Sequence, residues 1–206
     1  MLAQLVERSI RIAEAASSTL AHSTRNYLQF MKIIFRNLTT QEANVISQEI
    51  RGTKNITGYL PAELLRLGKM LVATKDKSII GILYYKKYKK LIDLKILIVV
   101  SDWRGQGIGR KLFQQFMTEA SNAEKIYTVT KSPELIHLVN EVGFKKVSWF
   151  GLPILAQLNE LSKVFNVYRI KESLRKGMLR DENRFSYWVR HKNKPSHYQT
   201  TKLHKS

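Results

Sequence analysis

DLKILIVVSDWRGQGIGRKLFQQFMTEA, residues Asp93 to Ala120, is the stretch from which the rest of this chain can be read. Leu94 to Val100 is an apolar run broken only by Lys95 and rich in β-branched residues, the pattern of a buried strand. A short turn follows, with glycines at 105, 107 and 109. Beyond it Leu112, Phe113, Phe116 and Met117 recur at helical spacing, the buried stripe of a helix that starts near Ile108. The order is strand, Gly-rich turn, helix.

Such a turn suits a phosphate group. The start of a helix leaves backbone N–H groups without acceptors and carries a partial positive charge. Glycines let an anion approach those groups without a Cβ in the way. Arg104 and Arg110 flank the turn and could add charge-assisted hydrogen bonds. Two familiar phosphate loops are excluded by spacing. There is no GxxxxGK[ST] run. The third glycine also comes one residue too early for the dinucleotide pattern GxGxxG.

Arg104-Gly105-Gln106-Gly107-Ile108-Gly109 resembles the acetyl-CoA motif (Q/R)xxGx(G/A) of GNAT-type N-acetyltransferases, and the preceding VVSDW resembles the family's strand end and turn. The resemblance covers roughly residues 31 to 150. It implies an α/β fold with a mixed, mostly antiparallel twisted sheet, a splayed pair of fourth and fifth strands, and flanking helices.

The flanking sequence supplies further elements. Lys32 to Leu38 reads as a first strand. Thr39 or Thr40 can cap a helix with Glu42 in its first turn; that helix would run to about Arg51 and bury Ala43, Val45, Ile46 and Ile50. Gly52 to Gly58 reads as loop, and Tyr59 to Leu67 as a short helix with Pro61 in its first turn. Lys69 to Thr74 and Ile79 to Tyr85 are strands joined across Lys75-Asp76-Lys77-Ser78, a hairpin signal. Lys86 to Lys90 reads as a basic loop, solvated or facing an acidic partner. Lys125 to Thr130 is a fifth strand. Ser132 then caps a helix with Pro133 at its first position and Gly143 at its end. Phe144 to Phe150 reads as a strand, Leu152 to Val164 as a helix, and Phe185 to Val189 as a last strand. The expected organisation is a helical arm over 1–30, a core over 31–150, a C-terminal helix and closing strand over 151–190, and a basic disordered tail over 191–206.

Composition narrows the function classes. The chain has 206 residues, with 35 Lys+Arg against 16 Asp+Glu, a net charge of +19. Such a charge attracts anions, whether CoA, nucleic acid or an anionic membrane surface, without choosing among them. There is no cysteine, which excludes disulfides, thiol catalysis and thiolate metal sites. The five histidines show no HxxxH or HExxH spacing, so no metal is expected. No apolar run is long enough to span a membrane. Glu7, Arg8, Arg11 and Glu14 interrupt the first segment, which argues against a secretory signal. A cytoplasmic location is expected, with organelle import left open.

Acetyl transfer to an amine needs the thioester held beside a neutral amine, a donor for the oxyanion and a proton for the leaving thiolate. The resemblance implies that the fourth-strand backbone of Leu97, Ile98 and Val99 pairs with the pantetheine arm. It also implies that the pyrophosphate sits on the N–H groups from Gly105 through Gln106, Gly107, Ile108 and Gly109 to Arg110. Many family members carry an asparagine and, seven residues on, a proton-donating tyrosine before a Gly-Phe pair. Here those positions are Ser132 and Val139. Valine cannot donate a proton, so that role does not carry over, while Ser132 could still bond the cofactor. His137, Tyr127 and Asp93 are the remaining catalytic candidates, and water could serve as base. Asp102 reads as a turn residue.

The expected activity is N-acetyl transfer from acetyl-CoA directly to a primary amine. The alternative is a catalytically weak GNAT-like module that binds CoA or RNA. Thr130 to Glu134 and Gly143 to Pro153 are similar over short stretches to GNAT enzymes that acetylate free amino acids, which implies a small acceptor. The basic charge suggests instead an acidic macromolecule or an amine carried on RNA, with RNA or ribosome contact through the termini; the acceptor is a small molecule or a protein. The oligomeric state is left open.

Overall fold

A computed structural model describes residues 31–164, 167–176 and 185–192 of the chain. The arm expected over 1–30 and the tail from residue 193 lie outside the described residues.

Seven strands form one mixed sheet in the order β1-β2-β3-β4-β5-β7-β6. In chain order these are β1 (Lys32–Arg36), β2 (Met70–Lys75), β3 (Ser78–Tyr88), β4 (Leu91–Val99), β5 (Lys125–Thr130), β6 (Lys145–Val147) and β7 (Ser186–His191). The helices are α1 (Thr40–Gly52), α2 (Pro61–Arg66), α3 (Ile108–Glu119), α4 (Pro133–Glu141), α5 (Ile154–Val164) and α6 (Val167–Arg175). β4 and β5 run parallel and are joined through α3; the pairs β1–β2, β2–β3, β5–β7 and β6–β7 are antiparallel. The β4–β5 ladder spans Leu91–Leu94 against Lys125–Thr128, and β4 continues five residues further, to Val99.

The chain divides into two compact units. One holds the described residues up to Tyr84 together with Ile96–Phe116; the other holds Tyr85–Lys95 together with the described residues from Met117 onward.

In the first unit α1 begins as its sequence requires. Thr39 Oγ1 accepts the Glu42 N–H at 3.3 Å, and Glu42 Oε2 accepts the Thr39 N–H at 2.9 Å, a reciprocal cap. Arg36 grips the same carboxylate through two bonds of 2.7 and 2.6 Å, and this pairing holds Glu42 below its ordinary pKa. The cap contributes about 1 kcal/mol. Burial stabilises the helix more: Ala43, Ile46 and Ile50 are fully buried in a core with Met70, Val72, Ile82, Ile96 and Ile98. Each such aliphatic side chain larger than alanine contributes about 1.5–3 kcal/mol. The hairpin between β2 and β3 is tighter than expected, because Lys75 pairs with Ser78 and only Asp76 and Lys77 turn, both at positive φ.

In the second unit Tyr127 and Val189 pack with Leu91, Leu152 and Ala156. Ser132 caps α4 by accepting the Leu135 N–H at 3.3 Å. Gly143, at φ +83°, ends it: Phe144 N–H reaches Val139 O and Gly143 N–H reaches Asn140 O.

Three expectations need correction. Lys86 to Tyr88 is strand, not loop: β3 runs on to Tyr88, and only the short turn at Lys89 and Lys90 separates it from β4. β4 starts at Leu91, three residues ahead of the apolar run that begins at Leu94, so Asp93 lies inside the strand. Phe144 to Phe150 yields only a three-residue strand, because a 3-10 turn over Trp149–Gly151 takes the chain out of the sheet. The last strand expected over Phe185 to Val189 is present as β7, which lies between β5 and β6 and leaves the short β6 at the sheet edge. The helix α6 had no expected counterpart.

Candidate functional site

The Gly-rich turn belongs to the first unit. Val100 N–H bonds Ile80 O at 3.0 Å, holding the end of β4 to β3. A 3-10 turn over Ser101–Trp103 follows, and Lys75 Nζ sits 4.9 Å from the centre of the Trp103 ring. Gly105 and Gly107 then adopt φ of +75° and +78°, a left-handed conformation that costs other residues roughly 1 kcal/mol or more. A Cβ at either glycine would meet nothing within 4 Å, so the space above the turn is open. α3 begins at Ile108. Lys111 N–H donates to Gly107 O at 3.1 Å, and the N–H groups of Gly107, Ile108 and Gly109 precede that bond at the helix start. Gly109 is helical, and a Cβ there would touch Val99 Cγ2 at an ordinary 3.7 Å. Glycine or alanine therefore fits that position.

Arg104 is committed more deeply than its sequence position implies. Its Nη2 bonds Glu49 Oε2 of α1 at 2.8 Å, and its Nε bonds Val99 O at 3.0 Å. Ser101 Oγ donates to the other Glu49 oxygen at 2.8 Å. Glu49 thus ties both ends of the 3-10 turn to α1. Gln106 Nε2 donates to Asp102 O at 3.3 Å, within the turn, and Arg110 is exposed on the first turn of α3. Of the three β4 residues expected to face the pantetheine arm, Val99 has its carbonyl taken by Arg104. The Ile98 carbonyl faces Gly81 of β3, where an added Cβ would lie only 2.9 Å from it. Leu97 is half-buried.

The second unit carries the titratable candidates. Asp93 on β4 stands in register with Tyr127 on β5, and the two are 2% and 0% exposed. Lys95 Nζ lies 2.9 Å from Asp93 Oδ2, an ion pair whose angles fall outside those of a hydrogen bond. Burial first, and then the Asp93 charge, push the Tyr127 phenol far above its ordinary range, so it keeps its proton. Asn159 Nδ2 of α5 donates to the Tyr127 oxygen at 3.4 Å. The structure therefore brings two of the three catalytic candidates together. It separates the third: His137 is exposed on α4 and pairs with Glu141 at 3.0 Å, one turn along the same helix. Ser132 is occupied as the α4 cap and also bonds Glu134. Val139, at the position of the absent tyrosine, is fully buried.

Sequence reading missed Glu49, Gly81, Lys95 and Asn159. Only Gly81 carried a signal, as an isolated glycine inside a strand pattern, which marks close backbone approach. Glu49 and Arg104 are 55 residues apart, with no periodicity linking them. Among the described residues no cluster of His, Asp or Glu could hold a metal ion, and no helix is long and apolar enough to cross a membrane.

Known proteins share this architecture. Among solved structures, the N-acetylglutamate synthase of Neisseria gonorrhoeae, complexed with coenzyme A and N-acetyl-glutamate, superposes with a TM-score of 0.60 at 13% identity. The match covers 80% of this chain and 36% of that one, so this chain spans about a third of the synthase. Rv2747 of Mycobacterium tuberculosis, solved with CoA, matches at TM-score 0.55 and 14% identity over 77% of this chain and 98% of its own. The yncA protein of Salmonella typhimurium, solved with acetyl-CoA, matches at 0.52 and 13% over 81% and 96%. These likenesses show the fold. No curated protein sequence matches. The model of the acetyltransferase (GNAT) domain matches residues 39–149, more than half of the chain and the whole path from the α1 cap to the 3-10 turn after β6. The chain therefore belongs to the GNAT acetyltransferase family.

Proposed function

We propose that the protein transfers an acetyl group from acetyl-CoA directly to a primary amine. The observation that carries this reading is the turn after β4: two left-handed glycines, open space above them, and the start of α3, whose first N–H groups have no acceptor within the helix. Backbone N–H groups at such a helix start suit a pyrophosphate, and similar folds have been solved with coenzyme A or acetyl-CoA bound. In this reading Gly105, Gln106, Gly107, Ile108, Gly109 and Arg110 hold the pyrophosphate, and the β4 backbone from Leu97 to Val99 lies along the pantetheine arm. Arg104 then acts less as a phosphate ligand than as the strut that, with Glu49, fixes the turn.

The reaction forms a C–N bond and breaks a C–S bond. The ammonium form of the acceptor must first lose a proton, and the departing thiolate must gain one. Asp93 is the carboxylate proposed to take the proton, reached through water because its side chain is buried. Tyr127 stays protonated and orients that carboxylate from the adjacent strand, as a positioning residue. His137, paired on a solvent-facing helix surface, has no part in this reading, and Ser132 serves α4 rather than the cofactor. The acceptor is taken as a small-molecule or protein amine, and the reading assigns no metal.

A thermal-unfolding titration with acetyl-CoA, beside ATP and NADPH, tests the cofactor. Specific binding raises stability by about 2.7 kcal/mol at a hundredfold excess over Kd. A saturable shift with acetyl-CoA alone supports the reading. Equal shifts with all three ligands would assign the effect to net charge and defeat it. A specific shift without thiol release across a panel of amines would favour the catalytically weak CoA-binding module, which the valine at position 139 motivates.

A further inference from the structure

We infer that one end of the sheet, formed by the β3–β4 turn, the start of β5 and the end of β7, is a docking surface for the phosphate backbone of a nucleic acid. Its basic residues come from three distant parts of the sequence: Lys86, Lys87, Lys89 and Lys90; Lys125; and Arg190, His191 and Lys192. The strand registers gather them. Leu91 pairs with Lys125 and Lys125 with His191, while Ile126 pairs with Arg190. The N–H groups of Glu124 and Lys125 both bond Lys90 O, at 3.0 and 3.1 Å, and Lys192 N–H bonds Glu124 O at 2.8 Å. Neighbouring strands are about 4.8 Å apart, so charges on adjacent strands stand within a Debye length of one another and their fields add along this end of the sheet.

Every lysine in the group is exposed, as is His191, and Arg190 is half-buried. Two acids oppose them. Glu124 pairs with Lys90 at 2.5 Å, and Glu119 accepts the Tyr85 hydroxyl at 2.5 Å. The ammonium groups of Lys86 and Lys87 lie 5.1 and 5.5 Å from the centres of the Tyr88 and Tyr85 rings, while both side chains remain exposed to a partner. A solvated face would need no such convergence from three segments.

The chemistry favours nucleic acid over a bilayer. Membrane docking needs an apolar face beside the charge. The exposed large apolar residues of this unit, Phe150, Ile154, Leu155, Leu158, Leu161, Ile170 and Leu174, lie on or just before α5 and α6, and none belongs to this end of the sheet. No exposed aromatic side chain stands there to stack on a base, since Tyr85 is buried and Tyr88 half-buried. The surface therefore reads backbone charge rather than sequence. It shares no residue with the Gly-rich turn, so the inference stands whether or not acetyl transfer does.

The test is fluorescence anisotropy of the full chain with a short labelled DNA duplex across a salt series. Wild type should bind with a steep salt dependence. The triple variant Lys86→Gln, Lys87→Gln, Lys89→Gln should bind about tenfold or more weakly, with a log–log salt slope shallower by about two to three. The double variant Lys125→Gln, Lys192→Gln, from the other segments, should lose affinity in the same sense and guards against misfolding of the first. A control, Lys32→Gln, Lys54→Gln, Lys69→Gln, removes as much charge from exposed positions elsewhere and should change little. Absence of duplex binding, equal losses in both triple variants, or equal affinity for anionic lipid vesicles would each overturn the proposal.

Discussion

The turn after β4 and the buried pair Asp93–Tyr127 lie in different compact units, and they are built in opposite ways. The turn is made of backbone. Its conformation follows from glycines at 105 and 107, whose φ values suit glycine far better than any branched residue. Side chains serve it only as struts, Glu49 and Arg104 foremost. The pair is made of side chains. Asp93 and Tyr127 are 34 positions apart and meet because β4 and β5 run parallel in one register. A backbone site tolerates change in its side chains and fails when a Cβ intrudes. A side-chain site fails when one polar atom is exchanged.

That contrast can be broken by substitution. The largest expected effect is from Gly107→Glu, which places a charged side chain and a strained φ in the phosphate space. Acetyl-CoA affinity measured by calorimetry should fall by about a hundredfold or more, since a like-charge juxtaposition with the phosphates costs several kcal/mol. Retained affinity would remove the turn from the site. Gly109→Ala is the counterpart: with only an ordinary contact to Val99 it should bind nearly as wild type.

Next is Asp93→Asn, which keeps shape and removes the base. A fall of about a hundredfold in kcat, with KM for acetyl-CoA nearly unchanged, is the signature of a lost proton acceptor. An unchanged kcat would leave Asp93 as the structural partner of Lys95. Tyr127→Phe should shift the pH–rate profile while leaving acetyl-CoA affinity intact; loss of affinity instead would mean that Tyr127 serves only the fold.

Gly81→Ala probes the frame of the turn. The new methyl group would lie 2.9 Å from Ile98 O and 3.3 Å from Leu112 Cδ1, so β3 and β4 must part. A destabilisation of about 1–3 kcal/mol in urea unfolding is expected. The smallest effect concerns Glu42. Its pKa is depressed in the folded chain, mainly by Arg36, so its contribution is present above the ordinary carboxylate pKa and is lost as pH falls through the lower folded value. Glu42→Gln should therefore cost about 1 kcal/mol at neutral pH, and the difference from wild type should vanish in acid. A difference that persisted in acid would assign the cost to packing instead.

Legibility followed the same division. The strand–turn–helix unit, the Thr39 and Ser132 caps and the Gly143 stop can be read from adjacent residues, because each is a local solution to unpaired backbone groups. The extent of β3 cannot, since Lys86-Lys87-Tyr88-Lys89-Lys90 is polar enough for a loop and its first three residues are strand only because β4 lies beside them. The position of β7 between β5 and β6 is invisible for a similar reason: strand order is set by which edges remain unpaired, not by composition.

The local elements and the Gly-rich turn thus follow from neighbouring residues, where spacing and backbone freedom leave few alternatives. The hold of Glu49 on Arg104, the pairing of Asp93 with Tyr127 across two strands and the gathering of lysines from three segments at one end of the sheet arise in the folded chain alone. These arrangements depend on strand register and helix docking, which bring together residues that no sequence interval connects.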